Sequence, residues 1–134
     1  MNFPEETVKL FIREYFNWNE RANSLRKSHS FQGRLPEATI VKIRHEYLEI
    51  IDRFCTETVK PQPVSYGDDP MHSPDLELIK SIENDGKKAV VKTEYTEATF
   101  NFKSDYEYYL CHCDNQWKIE SILYVDRENK YECL

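Results

Sequence analysis

Near residue 76 the hydrophobic period of this chain changes from about 3.6 residues to two, and that change restricts the fold more than any motif does. Before it, Val8, Phe11, Ile12, Tyr15, Trp18, Ala22 and Leu25 recur every three or four residues, as do Ile40, Ile43, Tyr47, Ile50, Ile51 and Phe54. Such spacing lays an apolar stripe along one side of a helix. Pro4 with Glu5 and Glu6, and Pro36 with Glu37, supply first-turn prolines and acids where the helix dipole favours them. Helices are expected over about 4–25 and 36–55, separated by the basic RKSHSFQGR (26–34) with Gly33 as punctuation.

After the change, LELIKSIE (76–83) and KKAVVKTEY (87–95) flank Asn84-Asp85-Gly86, and YEYYLCHC (106–113) and QWKIESILYV (116–125) flank Asp114-Asn115. Both are tight-turn signals between alternating segments. Antiparallel strands are expected over about 76–83, 87–96, 104–113 and 116–125, although neither side of the first is cleanly apolar. Helices followed by a run of strands predict an α+β fold with the helices on one sheet face. With 134 residues and no repeat or linker, one domain over 1–134 is expected.

Nine Tyr, seven Phe and two Trp supply large core pieces, and the 31% of charged residues is mixed in sign, which argues against disorder. The net charge of -6 disfavours non-specific binding to nucleic acid or an anionic membrane and favours a basic partner. MNFPEETVKL has neither the basic region nor the apolar run of a secretory signal. Cys55, Cys111, Cys113 and Cys133 show no framework spacing and read as reduced thiols of a cytoplasmic protein.

Cys111-His112-Cys113 is the densest chemistry in the chain. If Asp114-Asn115 is a two-residue loop, His112 faces Trp117, Leu110 faces Ile119, Tyr108 faces Ser121 and Tyr106 faces Leu123, all on the core side. Cys111, Tyr109 and Glu107 then oppose Lys118, Glu120 and Ile122 on the other. Alternation parts the histidine from the thiols, so three neighbours on a strand do not converge on a tetrahedral ion. The segment is read as a strand, with no metal. No phosphate-binding glycine loop, nucleophile elbow or paired-histidine helix occurs.

The connection 56–76 holds four of the six prolines and lacks a helical period, and structureless connections longer than about 12–15 residues are commonly functional. Between Asp68 and Asp85 six acids face Lys80 alone, a net of -5. Such a patch suits a partner bearing Lys and Arg.

Several ordered features carry a resemblance: Trp18 followed by Glu20 in the first helix, FCT (54–56) ending the second, and SYGDDPMHSPDLELI (65–79) entering the sheet. AVVKTEY (89–95), YEYYLCHCDNQWKIES (106–121) and a terminal strand complete it. The most distinctive pieces are Tyr66-Gly67 with Pro70, Pro74 and Glu77, and the Tyr-x-Tyr-x-Leu…Trp-x-Ile hairpin at 106–119. Together they make the chain similar to the immunity proteins of the nuclear transport factor 2-like fold, found beside polymorphic toxins in bacteria. The resemblance implies a cone-shaped α+β fold, helices closing over a curved antiparallel sheet. It also implies binding and blocking a cognate toxin, a nuclease or other basic effector domain, in the producing cell's cytoplasm. It offers no catalytic residues. On this basis the chain is expected to be a non-enzymatic inhibitor that occludes the toxin through Tyr66, Asp68, Asp69, Asp75 and Glu77. No cofactor and no direct contact with nucleic acid or membrane are expected; a homodimer is compatible with the reading. The same fold also hosts small-molecule isomerases, dehydratases and ligand-binding modules. In that alternative His112 would act as the base, with Tyr15, Tyr106 or Tyr108 as hydrogen-bond donor.

Overall fold

A computed structural model of the protein describes residues 3–28, 35–126 and 129–133. Helices α1 (Pro4–Ser28) and α2 (Glu37–Phe54) precede strands β1 (Glu77–Asn84), β2 (Lys88–Thr96), β3 (Lys103–Cys113), β4 (Gln116–Asp126) and β5 (Asn129–Glu132). The strands form one antiparallel sheet in the order β1-β2-β3-β4-β5. Helix α1 runs to Ser28, a turn beyond the expected end near 25, and Gly33 lies outside the described residues.

The two apolar stripes meet the inner face of this curved sheet. Phe11, Tyr15 and Trp18 of α1 and Tyr47, Ile50 and Phe54 of α2 pack in one cluster with Val91 of β2, Tyr108 and Leu110 of β3, and Ile119 and Ile122 of β4. Burying each such side chain contributes about 1.5–3 kcal/mol. Polar side chains that enter the core tie the elements together, although His72 Nε2 is buried without a hydrogen-bond partner. Trp18 Nε1–H donates to the Ile43 carbonyl at 2.9 Å, tying the helices together, and the Thr7 hydroxyl donates to the Trp117 carbonyl at 3.1 Å, tying α1 to β4.

Turn chemistry fixes the hairpins. Gly86 takes φ 92°, while the Asp85 carboxylate accepts the Lys87 and Lys88 N–H groups at 2.8 and 2.7 Å. Asp114 and Asn115 have φ 51° and 62°, the pair of left-handed residues that a two-residue hairpin loop requires.

The register of β3 with β4 follows the two-residue loop only part of the way. His112 faces Trp117, Cys111 faces Lys118 and Leu110 faces Ile119. A bulge at Glu120 then shifts the pairing by one. Tyr109 faces Ser121, Tyr108 faces Ile122, Glu107 faces Leu123 and Tyr106 faces Tyr124, which corrects the partners expected from strict alternation. The physical reason is burial: without the extra residue Ser121 would enter the core and Ile122 would leave it. With the bulge Ile122 turns inward and is fully buried. A second irregularity lies between Ile79 and Ser81 of the edge strand β1, where the sequence lacks a clean alternation.

Candidate partner-binding surface

The outer face of the sheet is laced with ion pairs. Lys80 reaches Glu94 (3.5 Å) and Asp105 (3.4 Å), Lys103 reaches Glu94 (3.5 Å), Lys130 reaches Glu107 (2.9 Å) and Lys88 reaches Glu120 (2.5 Å). Each of these carboxylates has a lysine beside it, which offsets its charge.

The connection 56–76 is different. It departs from α2 along the free edge of β4, with Thr56 N–H donating to the Ile119 carbonyl at 2.8 Å. It then crosses α1, which grips it with two buried asparagines. The Asn19 side-chain amide donates to the Gly67 carbonyl at 2.8 Å and accepts the Gly67 N–H at 3.1 Å, as a neighbouring strand would. One turn on, Asn23 Nδ2 donates to the Asp68 carboxylate at 2.8 Å. Half-buried Tyr66 stands edge-on to Trp18, ring centroids 5.9 Å apart, and the Tyr95 hydroxyl donates to the Pro70 carbonyl at 2.9 Å. These tethers reduce the freedom that a proline-rich connection would otherwise lose on binding.

The five residues expected to contact a partner do not share one environment. Asp69 and Asp75 are exposed and have no ion-pair partner among the described residues. Asp68 is exposed but already engaged, by Lys27 Nζ at 2.8 Å and Arg26 at 4.0 Å. The hydrogen bond from Lys27, then that from Asn23, holds its carboxyl below the ordinary 3.8. Its charge is spent within the molecule, and it serves as a clamp. Glu77 leaves the surface altogether. Its side chain is 0% exposed and enters the core, a correction that follows from the irregular register of β1.

There Glu77 organises a buried polar cluster. His72 Nδ1 lies 2.7 Å from Glu77 Oε1, and the Thr93 and Tyr108 hydroxyls each donate to Glu77 Oε2 at 2.5 Å. Burial first, then Glu77, pushes the Tyr108 phenol well above its ordinary 10.0, so it keeps the proton it donates. The His72 ring is enclosed by Phe11, Tyr15 and Tyr106 at centroid distances of 5.6, 5.1 and 5.0 Å. A buried carboxyl group with three polar partners is tolerated in a core, where one without partners is not. The adjoining cavity, lined by Tyr15, Tyr47, His72 and Cys133 among others, measures about 20 Å³, room for a single water.

His112 takes no part. It is exposed and packs on Trp117 at 5.1 Å, while Cys111 Sγ and Cys113 Sγ approach to 2.6 Å on the opposite face. The three side chains do not converge, and among the described residues no cluster of His, Cys, Asp and Glu has the arrangement of a metal site. Sequence reasoning missed Asn19, Asn23 and His72. The asparagines carried a signal, since polar residues four apart beside Tyr15, Trp18 and Ala22 on the buried stripe demand partners. His72 carried none beyond lying between two prolines.

Among the described residues, two helices packed on one five-stranded antiparallel sheet, with a tethered acidic connection between them, define an α+β fold. The chain belongs to the NTF2 fold immunity protein family, whose model matches residues 4–132 and so spans every element described above. It is similar to Immunity protein RhsIA of Dickeya dadantii (strain 3937), with 27% identity over 135 residues that cover 95% of this chain and 93% of that protein. No solved structure gives a significant match. Among the described residues no helix is long and apolar enough to cross a membrane.

Proposed function

We propose that this immunity protein binds a cognate bacterial toxin domain and occludes its active site or substrate groove, acting in the cytoplasm of the producing cell. The observation that carries the reading is the tethered connection: exposed Asp69 and Asp75 have no ion-pair partner among the described residues, whereas Glu94, Asp105, Glu107 and Glu120 on the sheet's outer face each have a lysine beside them. A rigid acidic surface on a chain of net charge -6 suits a basic effector such as a nuclease. Asp69 and Asp75 steer the partner, Tyr66 provides an aromatic contact, Asp68 clamps the loop, and Glu77 anchors its far end from within.

The alternative, an enzyme working inside the cone, loses support on its own terms. Its expected base, His112, is far from the tyrosines that would assist it, and the histidine that does meet them, His72, borders a cavity of about 20 Å³. Ligand pockets are commonly about 300–1,000 Å³. Inhibition by occlusion needs no pocket and no cofactor.

The test is co-expression with a candidate cognate toxin domain, taken from a toxin gene neighbouring this one, scored for growth and for a co-purifying complex. Rescue with a stable complex is the expected result; toxicity that persists with the inhibitor present and folded contradicts the reading.

A further inference from the structure

The turn between β2 and β3 is braced from within. Glu97 N–H donates to the Phe102 carbonyl at 2.8 Å and Asn101 N–H to the Glu97 carbonyl at 3.0 Å. The Glu97 carboxylate accepts the Thr99 and Phe100 N–H groups, both at 2.7 Å. Asn101 takes φ 59°, a left-handed conformation that asparagine tolerates. On this frame Phe100 and Phe102 stand 72% and 69% exposed, their rings 5.8 Å apart. Apolar rings held in water on a fixed backbone gain the full benefit of burial when a partner covers them, with little further ordering of the turn.

The turn adjoins the acidic connection. Thr96 N–H donates to the Leu76 carbonyl at 3.0 Å, and Tyr95 reaches Pro70. Burial first, then the charges of Asp69, Glu77 and Glu97, raise the Tyr95 phenol above its ordinary value. The stretches 68–76 and 97–102 contain no Lys or Arg, and their exposed Asp69 and Asp75 have no ion-pair partner among the described residues. A second copy of this chain docking through the same patch would bring like charges together. A basic partner would not.

We propose that Phe100 and Phe102 are the apolar anchors of the toxin-binding surface, seated in an apolar pocket rimmed by lysine or arginine on the toxin domain. This inference rests on the immunity reading and adds the place and chemistry of its contact. Anchors of this kind act on dissociation, while the surrounding acids act on encounter.

The experiment measures association and dissociation of the neighbouring toxin domain, made catalytically inactive, with the wild-type chain and with the Phe100→Ser/Phe102→Ser double variant. The sedimentation of each chain alone is measured as well. Both rings are exposed, so the thermal unfolding of the variant should match the wild type, and Phe100→Leu/Phe102→Leu should recover part of the binding. The double serine variant should bind at least ~30-fold more weakly, mostly through faster dissociation, with the salt dependence of association unchanged. If the wild type itself fails to bind, the immunity reading falls and the inference with it. If the wild type binds and the serine variant binds equally well, the inference falls and the immunity reading stands. A wild-type dimer that the serine variant abolishes would assign the rings to a second copy and overturn the proposal.

Discussion

Asp75 and Glu77 are two residues apart in the chain and live in opposite surroundings. Asp75 is exposed with no ion-pair partner among the described residues, whereas Glu77 is wholly enclosed and bonded to His72, Thr93 and Tyr108. The difference separates two tasks within one acidic segment. The buried carboxylate fixes where the connection enters the sheet, and the exposed ones are left to face a partner. A count of negative charges conflates the two, because a carboxylate contributes to an outside field only when it is neither enclosed nor paired.

Substitutions can break the comparison. The largest effect is expected at Glu77: Glu77→Ala leaves two hydroxyls and His72 without their acceptor and should cost about 3–5 kcal/mol in chemical denaturation. Asp75→Ala, two residues away, should stay within ~0.5 kcal/mol of the wild type. Equal losses at the two positions would erase the distinction. A smaller effect is expected at Asn19, whose amide holds both main-chain groups of Gly67. Asn19→Ala should cost about 1–3 kcal/mol and raise hydrogen exchange at the Gly67 amide well above that of the strands; unchanged exchange would mean that the connection is held by other means.

The smallest effect is expected at Asp68, and it depends on pH. Because its carboxyl is held below 3.8 by the hydrogen bonds from Lys27 and Asn23, the stability it contributes is present above that value and is lost as pH falls through the lower folded-state one. Its exposure screens the pair heavily. Denaturation midpoints of wild type and Asp68→Asn should therefore run parallel above pH 3.8 and converge below it. Parallel curves throughout the acid range would remove Asp68 as a clamp.

The helices were legible because their stripes are long. Val8, Phe11, Tyr15 and Trp18, and Ile43, Tyr47, Ile50 and Phe54, lie at the spacing that burial imposes, and all are buried. Two features escaped for one reason: strict alternation is a poor guide where a strand is bulged. In KIESILYV the apolar Ile119 and Ile122 are three apart, and the bulge at Glu120 reconciles both with the core. In β1 the irregularity between Ile79 and Ser81 hides the inner face, and a count of acids along 68–85 does not separate the buried Glu77 from the exposed ones. The acidic bias of the connection was legible, but the pairing of Asp68 with Lys27 and Arg26 depends on how α1 lies against the loop. Local sequence does not encode that proximity. The exposed phenylalanines were not legible, because a turn between two strands gives no periodic signal of what it presents outward.

The central claim is that unbalanced acids on a tethered connection guide a basic toxin onto this surface. Its most direct test is the association rate of the neighbouring toxin domain as a function of ionic strength, for the wild type and for Asp69→Asn/Asp75→Asn. The wild-type rate should fall steeply with added salt, and the variant should associate about tenfold more slowly at low salt with a flatter dependence. Equal rates and equal slopes for the two proteins would contradict the account.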